Sequence, residues 1–192
     1  TTLVGTLRGG GKAVFALDVT DPSTFNEGNA SQIVLWEIDE TTDFSGDGNP
    51  DYPDLGYTFS QPAIVKVDGY LDRWVAVFGN GYDSASGKAV LYIADIADGS
   101  LLETIDLSLV DSAAHGSGNG LSTVSPIDTD GDGKVDLIYG GDLNGNVWRF
   151  ESNGAVFSEA TTTLLYSAKS DPSGVQAGVA QPITSRMAVG YH

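Results

Sequence analysis

Apolar residues in this chain come in short runs with a period of two. Val14-Phe-Ala-Leu17, Ile33-Val-Leu-Trp36, Trp74-Val-Ala-Val-Phe78, Val90-Leu-Tyr-Ile93, Leu137-Ile-Tyr139 and Val147-Trp-Arg-Phe150 are rich in β-branched and aromatic residues. Each run is bounded by Gly, Asp, Asn or Pro, the punctuation of strands. No window of eleven or more residues holds the i, i+3, i+4, i+7 spacing of an amphipathic helix. A short helical turn is expected near 107–114. The pattern predicts an all-β protein.

Three sequence lines recur. A glycine turn, a strand and an acid follow one another in Gly11-Lys-Ala-Val-Phe-Ala-Leu-Asp18, Gly87-Lys-Ala-Val-Leu-Tyr-Ile-Ala-Asp95 and Gly145-Asn-Val-Trp-Arg-Phe-Glu151. A proline opens a strand in Gln61-Pro62, Ser125-Pro126 and Gln181-Pro182, and Val77-Phe-Gly-Asn-Gly81 is echoed by Ile138-Tyr-Gly-Gly-Asp142. A repeat of roughly 55–75 residues indicates a solenoid, propeller or array. Strands are expected at 2–7, 13–18 and 32–38, then 61–67, 73–79, 89–95 and 101–107, then 122–128, 135–141, 146–151 and 163–168, with a last one at 181–187. That is about three four-stranded blades of a β-propeller, fewer than the four to eight that close a ring. The expected division is a blade part at 1–60, blades at 61–120 and 121–170, and the start of a next blade or a closing strand at 171–192. The natural protein is therefore expected to be longer at both ends.

Charge narrows the partners. The 192 residues carry 26 Asp and Glu against 9 Lys and Arg, a formal net charge of −17. Nucleic acid and anionic membrane both need a basic footprint, which this balance withholds. With no cysteine and only His115 and His192, disulfide scaffolds, thiolate catalysis and Cys- or His-rich metal centres are excluded. No apolar run approaches the ~20 residues of a membrane span. There is no initiator Met and no signal-peptide pattern at the start, as in a processed or excised piece.

The acids cluster. Asp128-Thr-Asp130-Gly-Asp132-Gly-Lys134-Val-Asp136 has carboxylates at loop positions 1, 3, 5 and 9 and glycine at 6. Alternate side chains of a tightly curled loop converge on one point, the glycine permits the curl, and the Lys134 carbonyl would add an oxygen. Calcium takes 6–8 oxygens at about 2.3–2.6 Å and tolerates such irregular cages better than magnesium. It is not an EF-hand, since the twelfth position is Tyr139 and the flanks are strands. The competing reading is an ion-free acidic turn, which leaves four carboxylates repelling one another. A second loop, Asp43-Phe-Ser45-Gly-Asp47-Gly-Asn49-Pro-Asp51, has the same spacing with Ser45 replacing one acid. For it, a solvated surface loop competes with a calcium site. Residues 80–84 and 142–145 read as turns. Catalysis finds little support: Ser117, Ser122 and Ser125 lack a G-x-S-x-G context, and Gly9-Gly-Gly-Lys12 is not a phosphate loop. Trp36, Trp74 and Trp148 read as core, and Arg149 as a solvent-facing strand position.

Taken in order, these segments resemble the β-propeller domain of the PilC/PilY family, the type IV pilus biogenesis and tip-adhesin proteins. The matching stretches include residues 10–22, Leu35-Trp-Glu37, 54–62, 74–82, 87–93, 119–123, 128–136, 141–150 and Gln181-Pro-Ile-Thr184. The resemblance implies a quinoprotein-like propeller exported to the cell surface or pilus tip, acting in pilus extension, twitching motility and adhesion. It implies partners in the pilus machinery, minor pilins or host and surface receptors. It also implies a regulatory calcium site at Asp128, Asp130, Asp132, Lys134 (carbonyl) and Asp136. The 39–53 insertion is longer than the family pattern, and no Arg-Gly-Asp tripeptide occurs, so neither a second ion nor integrin-type adhesion carries over. The adhesin-like N-terminal region of full-length members has no counterpart in these residues. The non-enzymatic reading competes with a fragment of a pyrroloquinoline-quinone dehydrogenase, whose inter-blade motif residues 95–103 resemble without its closing Trp. A generic extracellular propeller with FG-GAP-like calcium loops is the third reading.

Overall fold

The structure, a computed structural model, describes residues 1–70, 72–152, 154–168 and 178–190. It holds three antiparallel sheets. The first contains β1 (Thr2–Thr6), β2 (Ala13–Asp18) and β3 (Val34–Asp39), in that order. The second contains β4 (Ala63–Lys66), β5 (Trp74–Gly79), β6 (Val90–Asp95) and β7 (Leu101–Asp106). The third repeats it with β8 (Ser125–Ile127), β9 (Leu137–Gly141), β10 (Asn146–Glu151) and β11 (Thr162–Ser167). Between the strands lie two α-helical turns, α1 (Ala30–Ile33) ahead of β3 and α2 (Leu107–Val110) after β7, and several single 3-10 turns. The repeat read from the sequence is thus a four-stranded meander, and the architecture is a partial β-propeller.

The period-two pattern explains how the sheets stack. Successive strand side chains face opposite sides. In β5, Ala76 and Phe78 join Val14, Ala16, Trp36 and Ile38 in a core between the first and second sheets. Val75 and Val77 join Ile138, Trp148 and Phe150 in a core between the second and third. All six residues of β6 are buried, as a strand covered on both faces requires. The inner strands β4 and β8 touch, as blade strands around an axis do.

Two expectations fail. The strand expected at 181–187 does not form. Gln181 N–H donates to the Ala168 carbonyl at 3.1 Å and Ile183 N–H to the Asp142 carbonyl at 3.0 Å, while the Ser122 and Ser125 hydroxyls donate to the Ile183 and Met187 carbonyls. The segment runs along the third sheet, and among the described residues no strand pairs with it to complete a ladder. Residues 171–177 of the expected closing segment lie outside the described residues. Trp74 is not core: as the first residue of β5 it lies past the edge of the packed layer, 51% exposed, with the Lys66 ammonium 5.4 Å from its ring. Trp36 and Trp148 are buried, as read.

Strand direction gives the molecule two ends. The β1–β2 and β5–β6 turns, and the approaches to β4 and β8, lie at one end. The β4–β5 and β8–β9 connections lie at the other. There Val135 N–H donates to the Lys66 carbonyl at 2.8 Å, joining second and third sheets.

Candidate metal site

The 128–136 loop joins β8 to β9. Short strands hold its ends, with Asp136 N–H donating to the Ile127 carbonyl at 3.0 Å. Inside it, Asp128 works as a clamp: one carboxylate oxygen accepts Gly131 N–H at 2.7 Å, the other Gly133 N–H at 2.8 Å. Both glycines have φ above +80° and open space around them, the left-handed backbone that glycine takes without strain. Asp136 closes the loop by accepting Thr129 N–H at 2.7 Å. Asp132 accepts Lys134 N–H at 2.8 Å. The result brings carboxylate oxygens of Asp128, Asp130 and Asp136 within 4.8 Å of one another. Asp132 stands outside that trio, its carboxylate turned to the loop backbone. A hard, oxygen-only donor set on an open loop suits calcium better than a soft metal. Hydrogen bonds from Gly133, and then Gly131, hold the Asp128 carboxyl below its ordinary range.

Sequence reasoning missed what anchors this loop. The Lys134 ammonium donates to Asp68 at 2.5 Å and pairs with Asp72 at 3.1 Å, both on the β4–β5 connection. Those two carboxylates, Asp68 first, push its pKa above the usual lysine value. With its side chain drawn to the second sheet, Lys134 can offer the loop only its backbone. Asp68-Gly69 carries no sequence signal beyond that of a turn between two strands.

The 43–51 loop follows β3 and repeats this construction bond for bond. Asp43 accepts Gly46 N–H at 2.7 Å and Gly48 N–H at 2.9 Å, Asp51 accepts Phe44 N–H at 2.7 Å, and Asp47 accepts Asn49 N–H at 2.8 Å. Gly48, then the Ser45 hydroxyl, lower the Asp43 pKa. With Ser45 at the third position, Asp43, Asp47 and Asp51 do not form a convergent trio.

The other candidate residues take structural roles. Asp142 and Asn80, read as turn residues, are fully buried. Asp142 accepts Asn146 N–H at 2.8 Å, the Asn146 amide at 2.9 Å, the Trp148 indole at 2.9 Å and the Asn119 amide at 3.2 Å. Asn80 accepts Val90 and Leu121 N–H and donates to the Asp54 and Lys88 carbonyls, fastening second sheet to third. The fixed offset of an acid or amide just before each glycine turn was their only signal. His115 is exposed, its Nε2 2.8 Å from the Ser108 carbonyl. Ser122 bonds the Tyr82 hydroxyl at 3.0 Å, and Arg149 pairs with Glu151 at 2.6 Å.

Comparison with known proteins agrees with this fold. The sequence model of the PilY1 beta-propeller domain matches residues 1–190. A type IV pilus biogenesis factor PilY1 homolog of Xylella fastidiosa is 44% identical over 160 residues, covering 80% of this chain and 10% of that protein. The type IV pilus biogenesis factor PilY1 of Pseudomonas aeruginosa is 40% identical over 151 residues, covering 79% of this chain and 11% of that protein. The chain therefore spans about a tenth of those curated relatives. The crystal structure of the Pseudomonas aeruginosa PilY1 C-terminal domain superposes with a TM-score of 0.72 at 34% identity, over 96% of this chain and 37% of that one.

Proposed function

The chain belongs to the PilY1 β-propeller family, and from that premise we propose that it is a calcium-binding propeller segment of a type IV pilus biogenesis protein, working at the cell surface or pilus tip without enzymatic turnover. The observation that carries the calcium reading is the convergence of Asp128, Asp130 and Asp136. Calcium would be held by these carboxylates, with Asp132 and the Lys134 carbonyl completing the shell. Bound there, the ion supplies positive charge that offsets carboxylate repulsion and fixes a connection already tied to the neighbouring sheet through Lys134, Asp68 and Asp72. Binding to the folded state alone stabilises it by linkage. A loop that is stiff with calcium and looser without it would set how the pilus machinery or a minor pilin engages this face, and so regulate extension, retraction, twitching motility and attachment. The 43–51 loop, with Asp43, Ser45, Asp47, Asn49 and Asp51, is a second and weaker calcium position in this proposal.

Isothermal titration of the metal-free chain with calcium tests the reading, beside Asp128→Asn and Asp136→Asn variants whose fold is checked by circular dichroism. Saturable binding lost in both folded variants is the expected result. No binding at about millimolar calcium, a weak extracellular affinity, or binding unchanged in both variants, overturns it.

A further inference from the structure

Cations are scarce in this chain, 9 against 26 acids, and four of them are paired with carboxylates. Arg73, Lys88, Lys134 and Arg149 pair with Asp95, Asp106, Asp68 and Glu151. Arg8 and Arg186 have no carboxylate partner among the described residues. Both line one cavity of about 490 Å³ to which no Asp or Glu among the described residues contributes. It lies at the end of the molecule opposite the 128–136 loop, where the turns of all three sheets meet.

The cavity has a built wall. Phe59 and Tyr82 stack with centroids 5.2 Å apart and planes 20° from parallel, and the Arg8 guanidinium sits 5.7 Å from the Phe59 ring centre. Arg8 has a φ of +52°, a left-handed conformation that costs an arginine and would cost nothing at the three glycines that follow it. The Thr58 hydroxyl holds that turn by accepting Leu7 N–H at 3.1 Å and Arg8 N–H at 3.3 Å. Arg186 comes from the last described segment, its Nε 3.4 Å from the Ser125 hydroxyl, and its side chain lines the cavity. Gln61, Thr123 and Thr184 add neutral polar groups around the rim.

We infer that this cavity binds a small organic polycarboxylate, with Arg8 and Arg186 each taking a carboxylate. The guanidinium fork matches a planar carboxylate with two parallel hydrogen bonds. An aromatic wall and this volume suit a ligand with a carbon skeleton, and leave inorganic phosphate undersized. The site stands apart from the calcium reading: the 128–136 loop lies at the other end, and the 43–51 loop, which leaves β3 at the cavity's end, contributes no residue to its lining.

The test titrates the whole metal-free chain with tricarballylate, glutarate and inorganic phosphate by calorimetry, and maps shifted amides by NMR. Tricarballylate should bind saturably, glutarate more weakly and phosphate not at all. Shifts should centre on residues 8, 59–61, 123 and 184–186. Arg8→Gln and Arg186→Gln should each weaken tricarballylate by about tenfold or more, while calcium titration of the same variants stays at the wild-type value. No saturable binding by the wild type, shifts centred elsewhere, or binding unchanged in the folded Arg8→Gln, Arg186→Gln double variant overturns the inference. Phosphate binding as tight as tricarballylate overturns the carboxylate assignment. The wild-type map decides the question even if the double variant does not fold.

Discussion

Replacing Asp142 with Ala should be among the most damaging single changes away from the hydrophobic core. The carboxylate is fully buried and accepts four hydrogen bonds from Asn119, Asn146 and Trp148. Two of the donors keep another partner, since the Asn119 amide also reaches the Ala114 carbonyl and the Asn146 amide the Ala113 carbonyl. The Trp148 indole N–H and the Asn146 backbone N–H would be stranded. A buried donor left unpaired costs about 1–3 kcal/mol, so the pair costs about 2–6 kcal/mol. Domains of this kind are stable by only about 5–15 kcal/mol. With a urea m-value of about 2 kcal/mol/M, the unfolding midpoint should fall by about 1–3 M. Asp142→Asn keeps one acceptor oxygen and should lose about half as much. The assay is urea unfolding followed by the fluorescence of the buried Trp148 and by far-UV circular dichroism. A double-mutant cycle with Trp148→Phe should show coupling above about 0.5 kcal/mol. An Ala variant within about 0.5 kcal/mol of wild type, the range of ordinary surface changes, would refute the reasoning.

A Cβ on Gly120 would lie 2.0 Å from the Gly81 carbonyl oxygen, so Gly120→Ala should force the second and third sheets apart and cost about 1–3 kcal/mol in the same urea assay. Trp74→Ser should cost under about 1 kcal/mol, because the exposed ring contributes little beyond its cation–π contact with Lys66. Trp148→Ala should cost about 3–5 kcal/mol. The Asp128 pKa is lowered from 3.8, so this group stabilises the metal-free fold above the unfolded-state pKa, and that contribution is lost as pH falls through the folded-state value. Asp128→Asn should accordingly flatten the acid limb of thermal stability below about pH 4, read by melting curves across that range.

What the sequence disclosed is what local pattern controls. Residues 90–95 read as a strand because every one of them is apolar or ends at an acid-marked turn, and they are a strand. The 128–136 loop was legible because its spacing is itself the geometry: Asp128 reaches Gly131 and Gly133 only when the glycines fall at those positions. Partners supplied by another sheet were invisible. Nothing near Lys134 in the chain announces Asp68, 66 residues away. Asp142 looked like any turn acid because burial of a polar side chain is decided by the sheet that lands on it. The Gln181-Pro182 line repeats Gln61-Pro62 faithfully, yet only the earlier copy becomes a strand, because β5 is present to pair with it. Trp74 shares its strand class with Trp148 and lies outside the packed layer. A periodic pattern says which residues face one way, but not where the neighbouring layer stops.

The charge of −17 is organised by the ends of the strands. One end carries the Asp128, Asp130 and Asp136 trio, with Asp68 and Asp72 beside it, both paired with Lys134. The other carries a cavity lined by two arginines and, among the described residues, by no acid, although the 43–51 acids leave β3 at that same end. A field this negative draws a divalent cation from a distance and repels an anion. At physiological salt, however, it is screened beyond about 8 Å. An anionic ligand is then governed by what lies within a few ångströms, where the cavity offers guanidinium groups and no carboxylate. A cation gains from both the contact and the field. The same surplus of acid therefore serves the loop directly, and it leaves the cavity distinct by exclusion: no Asp or Glu among the described residues lines that wall.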